Sequence, residues 1–228
     1  MKKIVLKTAS ITLAAIIAVA LIVYGVFALF FPYNLASFYR GVSNYGLALK
    51  YSERGYLKSD DHALSDLLIV VYDAIGAEND EKIEKYAARS LMSDELTQSE
   101  RLHVSQKYCL ALYNRGKKDS ALEKAADLTC GGALCTGYVT GNPFRAVMGA
   151  AVESVSNELK SGKGVSSKLT EYIKKIQSAL SGMQSDEMPS EQKYLLNGDL
   201  KMINELCARI ENENIKNPQD SQAGARSA

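Results

Sequence analysis

Four cysteines and two histidines are the side chains in this sequence best suited to chemistry. They are Cys109, Cys130, Cys135, Cys207, His62 and His103. Only Gly-Gly-Ala-Leu separates Cys130 from Cys135, so their Cα atoms can approach the roughly 5.5 Å of a disulfide. In an oxidising compartment this pair is a candidate disulfide. The alternatives are two free thiols or a zinc site, and the zinc site has no second pair of ligands in the sequence.

Asp60, Asp61 and His62 form the other group that could do chemistry, as a metal or acid–base cluster. We prefer a structural interpretation, because acidic residues in the first turn of a helix offset its dipole. The sequence contains no hydrolase, nucleotide-binding or metalloprotease fingerprint. It therefore predicts no catalytic residue, no metal and no cofactor, and a protein that is not an enzyme.

An apolar block near the N-terminus decides where these residues can act. Residues 8–39 carry no charged side chain, and 11–31 within them is the apolar block. At about 1.5 Å per residue, such a helix is roughly 30 Å long, the thickness of the hydrocarbon core of a bilayer. The sequence predicts one membrane-spanning helix over 11–31.

A cleaved signal peptide is the rival interpretation of this block. The apolar region of a signal usually runs for about 7–15 residues and ends at a small-x-small cleavage site. Here the run is longer and ends in bulky residues, Leu29-Phe30-Phe31-Pro32-Tyr33. We therefore expect an uncleaved anchor.

The flanking charges predict the orientation of the anchor. Residues 1–10 contain three lysines, whereas Arg40 and Lys50 are the only basic residues between 32 and 50. Because cytoplasmic flanks are enriched in Lys and Arg, we expect 1–10 in the cytoplasm and the main domain outside, at the cell membrane.

The remaining composition is that of a nearly neutral helical domain. Without the three N-terminal lysines, 24 basic residues face 26 acidic ones, a formal charge of −2. This balance disfavours a nucleic-acid partner, which needs a basic surface. Few prolines, abundant helix-forming residues and no clear period-two alternation predict an all-α domain.

Apolar spacing and capping residues predict eight helices after the span. Their expected ranges are 34–54, 60–75, 80–92, 98–115, 119–128, 143–162, 167–180 and 189–213. Gly55 is expected to end the first of them, and Thr97 with Glu100 to form a capping box. Asn142-Pro143 is expected to start the helix at 143, with Pro at its first position. We expect one helical domain over 34–213 and a disordered polar tail over 214–228.

One helical segment, 111–128, resembles the central half of a tetratricopeptide repeat. The matching positions are Ala111, Tyr113, Gly116, Ala121 and Ala125. The resemblance implies antiparallel helix pairs stacked into a solenoid, with a concave surface that binds a peptide or a protein. Successive turn glycines recur after 40 and 46 residues rather than the 34 of that family, and an irregular helical bundle is the alternative.

These patterns together predict a single-pass membrane protein that acts as an interaction scaffold or adaptor at the outer face of the membrane. Its partner would be a protein or peptide. The first alternative is an accessory subunit of a larger membrane complex, in which the spanning helix itself binds. The second is an exported enzyme that uses the region of Asp60 and His62.

Overall fold

The all-α prediction is confirmed in the computed structural model, which describes residues 2–59, 62–76, 79–131, 135–162 and 164–216. Within these ranges the chain forms ten helices and no strand. The helices are α1 (Lys2–Phe30), α2 (Pro32–Gly41), α3 (Tyr45–Ser59), α4 (His62–Ile75), α5 (Asp80–Ser90), α6 (Gln98–Asn114), α7 (Lys118–Cys130), α8 (Pro143–Lys160), α9 (Ser167–Gly182) and α10 (Ser190–Lys216). They belong to two compact units, residues 1–82 and 83–228.

Helix α1 contains a 21-residue stretch, Ser10–Phe30, that is long and apolar enough to cross a membrane or to serve as a signal sequence. None of this stretch is fully buried by the rest of the protein. Large apolar side chains such as Ile16 and Leu21 are 60% and 66% exposed. Such a surface is stable only in an apolar surrounding.

The helix expected over 34–54 is in fact two helices, and this expectation was wrong. Helix α2 ends at Gly41, and Ser43 adopts a left-handed backbone with φ of 57°. The Asn44 side chain then accepts a hydrogen bond from the Leu47 amide at 3.2 Å, which begins α3. A polar turn of this kind supplies hydrogen bonds to the backbone N–H and C=O groups at the two helix ends. In a continuous helix these groups would be paired within the helix.

Gly55 does not end a helix, contrary to the sequence-based expectation. It lies inside α3 and is buried. A Cβ at this position would come within 2.8 Å of Pro32 Cγ and 2.9 Å of Leu64 Cδ1. Glycine is therefore present because α2 and α4 approach the backbone of α3 closely.

The first unit has a small core built from α2, α3 and α4. It consists of Ala36, Ala48, Tyr51, Leu67 and Val71, with Ala28 of α1 and Tyr39 packed against it. Leu68 and Ile69 in the apolar centre of α4 are fully buried as well, which agrees with a helix rather than a strand over this segment.

In the second unit, α6 packs against both α7 and α8, and α9 packs against α8 and α10. The expected start signals are present. Thr97 and Glu100 form the predicted capping box, and Asn142 caps α8 with Pro143 at its first position. The last helix continues to Lys216, so residues 214–216 are helical rather than part of a disordered tail. The rest of that predicted tail lies outside the described residues.

We expect Gly55→Ala to destabilise the protein by about 1–2 kcal/mol. Overpacking against Pro32 and Leu64 outweighs the roughly 1 kcal/mol gained when alanine replaces a helical glycine. Gly46→Ala in the same helix is the matched control, because a Cβ there meets no atom within 4 Å. Thermal unfolding in detergent micelles, followed by circular dichroism, measures both. A Gly55→Ala protein as stable as the Gly46→Ala protein would contradict the packing argument.

Candidate functional site

The segment that resembles a tetratricopeptide repeat is a helix–turn–helix with its small residues buried. Ala111, Ala121 and Ala125 are at most 1% exposed. Gly116 has φ of +78°, a backbone that residues with a Cβ rarely adopt. Small side chains at these positions let α6 and α7 approach each other closely.

Tyrosines connect this helix pair to the next two helices. The Tyr113 hydroxyl is hydrogen bonded to the Ser154 hydroxyl of α8 at 3.0 Å, and Tyr172 of α9 donates to the Lys118 carbonyl at 2.9 Å. The Lys118 ammonium lies 5.0 Å from the centre of the Tyr113 ring, a cation–π distance. These contacts hold α6–α9 together at the α6–α7 turn.

A carboxylate of α5 reinforces the same turn. Glu84 accepts hydrogen bonds from Arg115 and from Lys117, the latter at 2.7 Å. Burial disfavours ionisation of Glu84, but the hydrogen bonds from Lys117 and Arg115 outweigh it and lower the pKa of its carboxyl. Glu84 therefore stays ionised and bonded to the turn at neutral pH.

One face of helix α6 stays partly accessible to solvent between its neighbours. Of residues 101–113, only His103 is exposed. The α6 open face comprises residues three or four positions apart: His103, Gln106, Lys107, Leu110 and Asn114. Gln106 donates to the Gly141 carbonyl, so one side of this face adjoins the loop that precedes α8.

Residues 135–142 include the segment that caps the end of α7. The amides of Thr136 and Gly137 donate to the carbonyls of Leu128 and Thr129, at 2.8 and 2.9 Å. These carbonyls belong to the last turn of α7, where no helical partner remains. Cys130 and Cys135 therefore both lie within a segment whose two ends are held together by backbone hydrogen bonds.

The Cys130 and Cys135 thiols are free and exposed in this structure. The Cys130 sulfur is still partly screened from water. This partial burial, and then the neighbouring Cys135, raise the pKa of the Cys130 thiol. The disulfide predicted from their spacing is not formed here and stays a prediction. Cys109 and Cys207 are buried, and burial raises the pKa of Cys109 to about 12, which leaves it protonated and unreactive.

A buried polar cluster, which sequence patterns did not indicate, fixes the same loop to α8 and α10. Tyr138 is fully buried, and its hydroxyl donates to Asp199 Oδ2 at 2.9 Å. Arg145 Nε lies 2.6 Å from the same oxygen. The Tyr138 amide donates to Gln192 Oε1 at 3.0 Å.

The electrostatics of this cluster favour a structural role. Burial first, and then the negative charge of Asp199, raise the pKa of Tyr138, so its phenol stays protonated and donates. The Arg145 guanidinium balances the Asp199 carboxylate, whose side chain is only 10% exposed. A neutral donor and a cation on one buried carboxylate stabilise a fixed loop conformation.

The remaining residues that the sequence suggested for chemistry are Asp60, Asp61, His62 and His103. Asp60 and Asp61 lie outside the described residues, as does the side chain of His62. His103 is exposed on α6. Within the described part of the chain, no group of three or more His, Cys, Asp or Glu side chains is placed to hold a metal ion.

The architecture is therefore that of an all-α protein with one N-terminal helix suited to a membrane. Comparison with protein-family models, curated proteins and solved structures finds no match to this chain.

We expect Asp199→Asn to lower the free energy of unfolding by about 2–3 kcal/mol, because Arg145 keeps its charge without a counterion. Tyr138→Phe removes one hydrogen bond and is expected to cost about 1 kcal/mol. Urea titration measured by circular dichroism tests both. Glu205→Gln is the control on the same helix, since its ion pair with Lys201 is exposed and worth at most about 0.5 kcal/mol. Equal losses for Asp199→Asn and Glu205→Gln would contradict a stabilising cluster.

Protein isolated from an oxidising compartment should carry the Cys130–Cys135 disulfide. When it is denatured without reductant, a mass-shifting maleimide should label only Cys109 and Cys207, and reduction should expose all four cysteines of the sequence. Denaturation is required because the native Cys109 thiol does not react. Cys130→Ser/Cys135→Ser protein should give the same labelling before and after reduction. Full labelling of the original chain without reduction would refute the disulfide.

Proposed function

We propose that this chain is a single-pass membrane protein whose helical domain binds a protein or peptide partner at the outer face of the membrane. The observation that carries the proposal is the exposed apolar surface of Ser10–Phe30. A helix of that length with such a surface is stable in hydrocarbon and not in water. The remaining helices supply the binding domain.

Packing at the end of α1 supports a retained anchor rather than a cleaved signal. The Tyr24 hydroxyl is hydrogen bonded to the Tyr39 hydroxyl at 3.2 Å and also to Tyr51. Ala28 packs against the core of the first unit. Loss of α1 would remove these contacts and expose the core residue Tyr51, which is 5% exposed.

The charge distribution supports the orientation of the anchor. Lys2, Lys3 and Lys7 precede the apolar stretch, whereas Arg40 and Lys50 are the basic residues nearest to its other end. The excess of lysines before the span supports an N-terminus in the cytoplasm. In this orientation, helices α2–α10 lie on the outer side of the cell membrane.

The arrangement of α6, α7 and α8 supports partner binding in the second unit. Helix α6 packs against both neighbours, as the first helix of a pair does when another pair follows it. Its buried alanines and the left-handed Gly116 fit the tetratricopeptide-like pattern. We place the partner at the α6 open face, where the side chain of His103 is exposed and that of Lys107 is half-buried.

Site-specific photo-crosslinking in native membranes tests this role. A photoreactive amino acid at His103 should form a defined adduct with one partner protein, because this residue lies in the proposed contact. The same amino acid at Lys124, which is exposed on α7, should form none. Adducts from both positions, or from neither, would argue against a specific partner at the α6 open face.

Replacing residues 10–23 by an unrelated apolar span separates the scaffold from an accessory subunit. The replacement leaves Tyr24 and Ala28 in place, so the contacts of α1 with the first unit are kept. A scaffold keeps the adduct from His103 after this exchange. Loss of the adduct would show instead that the spanning helix itself binds the partner.

A further inference from the structure

The last turn of α2 and the residues just after it carry exposed apolar side chains close to the end of the apolar helix. Phe38 is 61% exposed and Val42 is 58% exposed. Arg40 between them is exposed as well. We call Phe38, Arg40 and Val42 the hairpin tip.

Contacts to α1 fix where the hairpin tip lies. If α2 continued α1 as one straight helix, Tyr39 would lie about 22 Å beyond Tyr24, at 1.5 Å per residue. Their hydroxyls are instead 3.2 Å apart. Helix α2 must therefore run across or back along α1, which keeps its far end near the level at which α1 ends.

Three tyrosines contact one another near the end of α1. The rings of Tyr39 and Tyr51 are stacked with centroids 5.7 Å apart, and both hydroxyls meet that of Tyr24. Tyrosine favours the membrane–water interface, where the ring is in an apolar region and the hydroxyl is hydrated or bonded. Phe38 and Val42 therefore extend from a structure that is itself anchored at interfacial depth.

The charged residues near the hairpin tip also suit a lipid surface. The sequence contains no Asp or Glu before Glu53, whereas Arg40 lies in the last turn of α2. A guanidinium pairs well with phosphate oxygens. Exposed apolar side chains next to one cation, with no acidic residue nearby in sequence, suit the headgroup region of a bilayer.

We propose that the hairpin tip inserts into the outer interface of the same bilayer that holds α1. Phe38 and Val42 enter the boundary between headgroups and acyl chains, and Arg40 contacts lipid phosphates. This inference rests on the proposed membrane span. It adds a second membrane contact, which orients the first unit against the bilayer surface.

Single tryptophans test the insertion, since the chain has no tryptophan of its own. Phe38→Trp, Val42→Trp and Val19→Trp proteins are each reconstituted into phosphatidylcholine–phosphatidylglycerol vesicles. Val19 is 60% exposed and lies near the middle of the stretch Ser10–Phe30. Half of the vesicles contain lipids brominated near the headgroup, and half contain lipids brominated deep in the acyl chain. Free tryptophan amide gives the iodide quenching of a fully exposed indole.

The shallow bromolipid should quench the indoles of the Phe38→Trp and Val42→Trp proteins more than the deep one does. Iodide quenching of both should be about threefold or more below that of the free amide, because an inserted indole is shielded from water. The deep bromolipid should quench the position-19 reporter most strongly. That reporter follows the span alone and is independent of the hairpin tip.

Two results would overturn the inference while leaving the span intact. With the position-19 reporter quenched, Phe38→Trp and Val42→Trp proteins that respond only to iodide would show a tip in water. Protection from both iodide and bromolipid would show a tip covered by protein, such as a second copy of the chain. A position-19 reporter that no bromolipid quenches would overturn the span and the inference together.

Discussion

The apolar surface of α1 has to be removed from water, and this constraint governs the first unit. Burying one large aliphatic side chain stabilises a protein by about 1.5–3 kcal/mol, and the stretch Ser10–Phe30 exposes many of them. Only its last turns, around Tyr24 and Ala28, contact other helices. The hydrocarbon of a bilayer covers the rest in the proposed arrangement, and the small core of α2, α3 and α4 forms against the end that remains.

The second unit depends on different interactions. Its large core of aliphatic and aromatic side chains extends from Cys109 to Ile210. Polar groups are used where chain segments must be held in one conformation. Glu84 bonds to the α6–α7 turn, and Asp199 binds Tyr138 and Arg145. Each carboxylate is far in sequence from the residues that it binds. Its contacts hold a turn or loop, where the backbone has no regular secondary structure of its own.

Local signals in the sequence were sufficient to place most helices. The capping box at Thr97 and the Asn142–Pro143 start were identified because they act within one turn of a helix. Gly55 was misinterpreted because its role depends on Pro32 and Leu64, which approach it from other helices. Composition alone does not distinguish a glycine that ends a helix from one that another helix contacts.

The polar cluster illustrates the second limit. Asp199 is 61 residues from Tyr138 and 54 from Arg145, so no periodic pattern relates them. In sequence each is an ordinary charged or aromatic residue of a helix or loop. Their pairing follows only from the tertiary fold, which brings Asp199 of α10 to Tyr138 and to Arg145 at the start of α8. The Cys130–Cys135 pair was noticed for the opposite reason, since its members are close in sequence.

The tyrosine contacts at the end of α1 have a mechanical consequence. A span joined to its domain by a flexible linker can rotate and tilt without moving that domain. Here the hydroxyl of Tyr24 bonds to two following helices, and Ala28 packs against their core. In the proposed membrane arrangement, α1 and the helices α2–α4 therefore move as one body, so that a change in the tilt of α1 turns α2–α4 through the same angle.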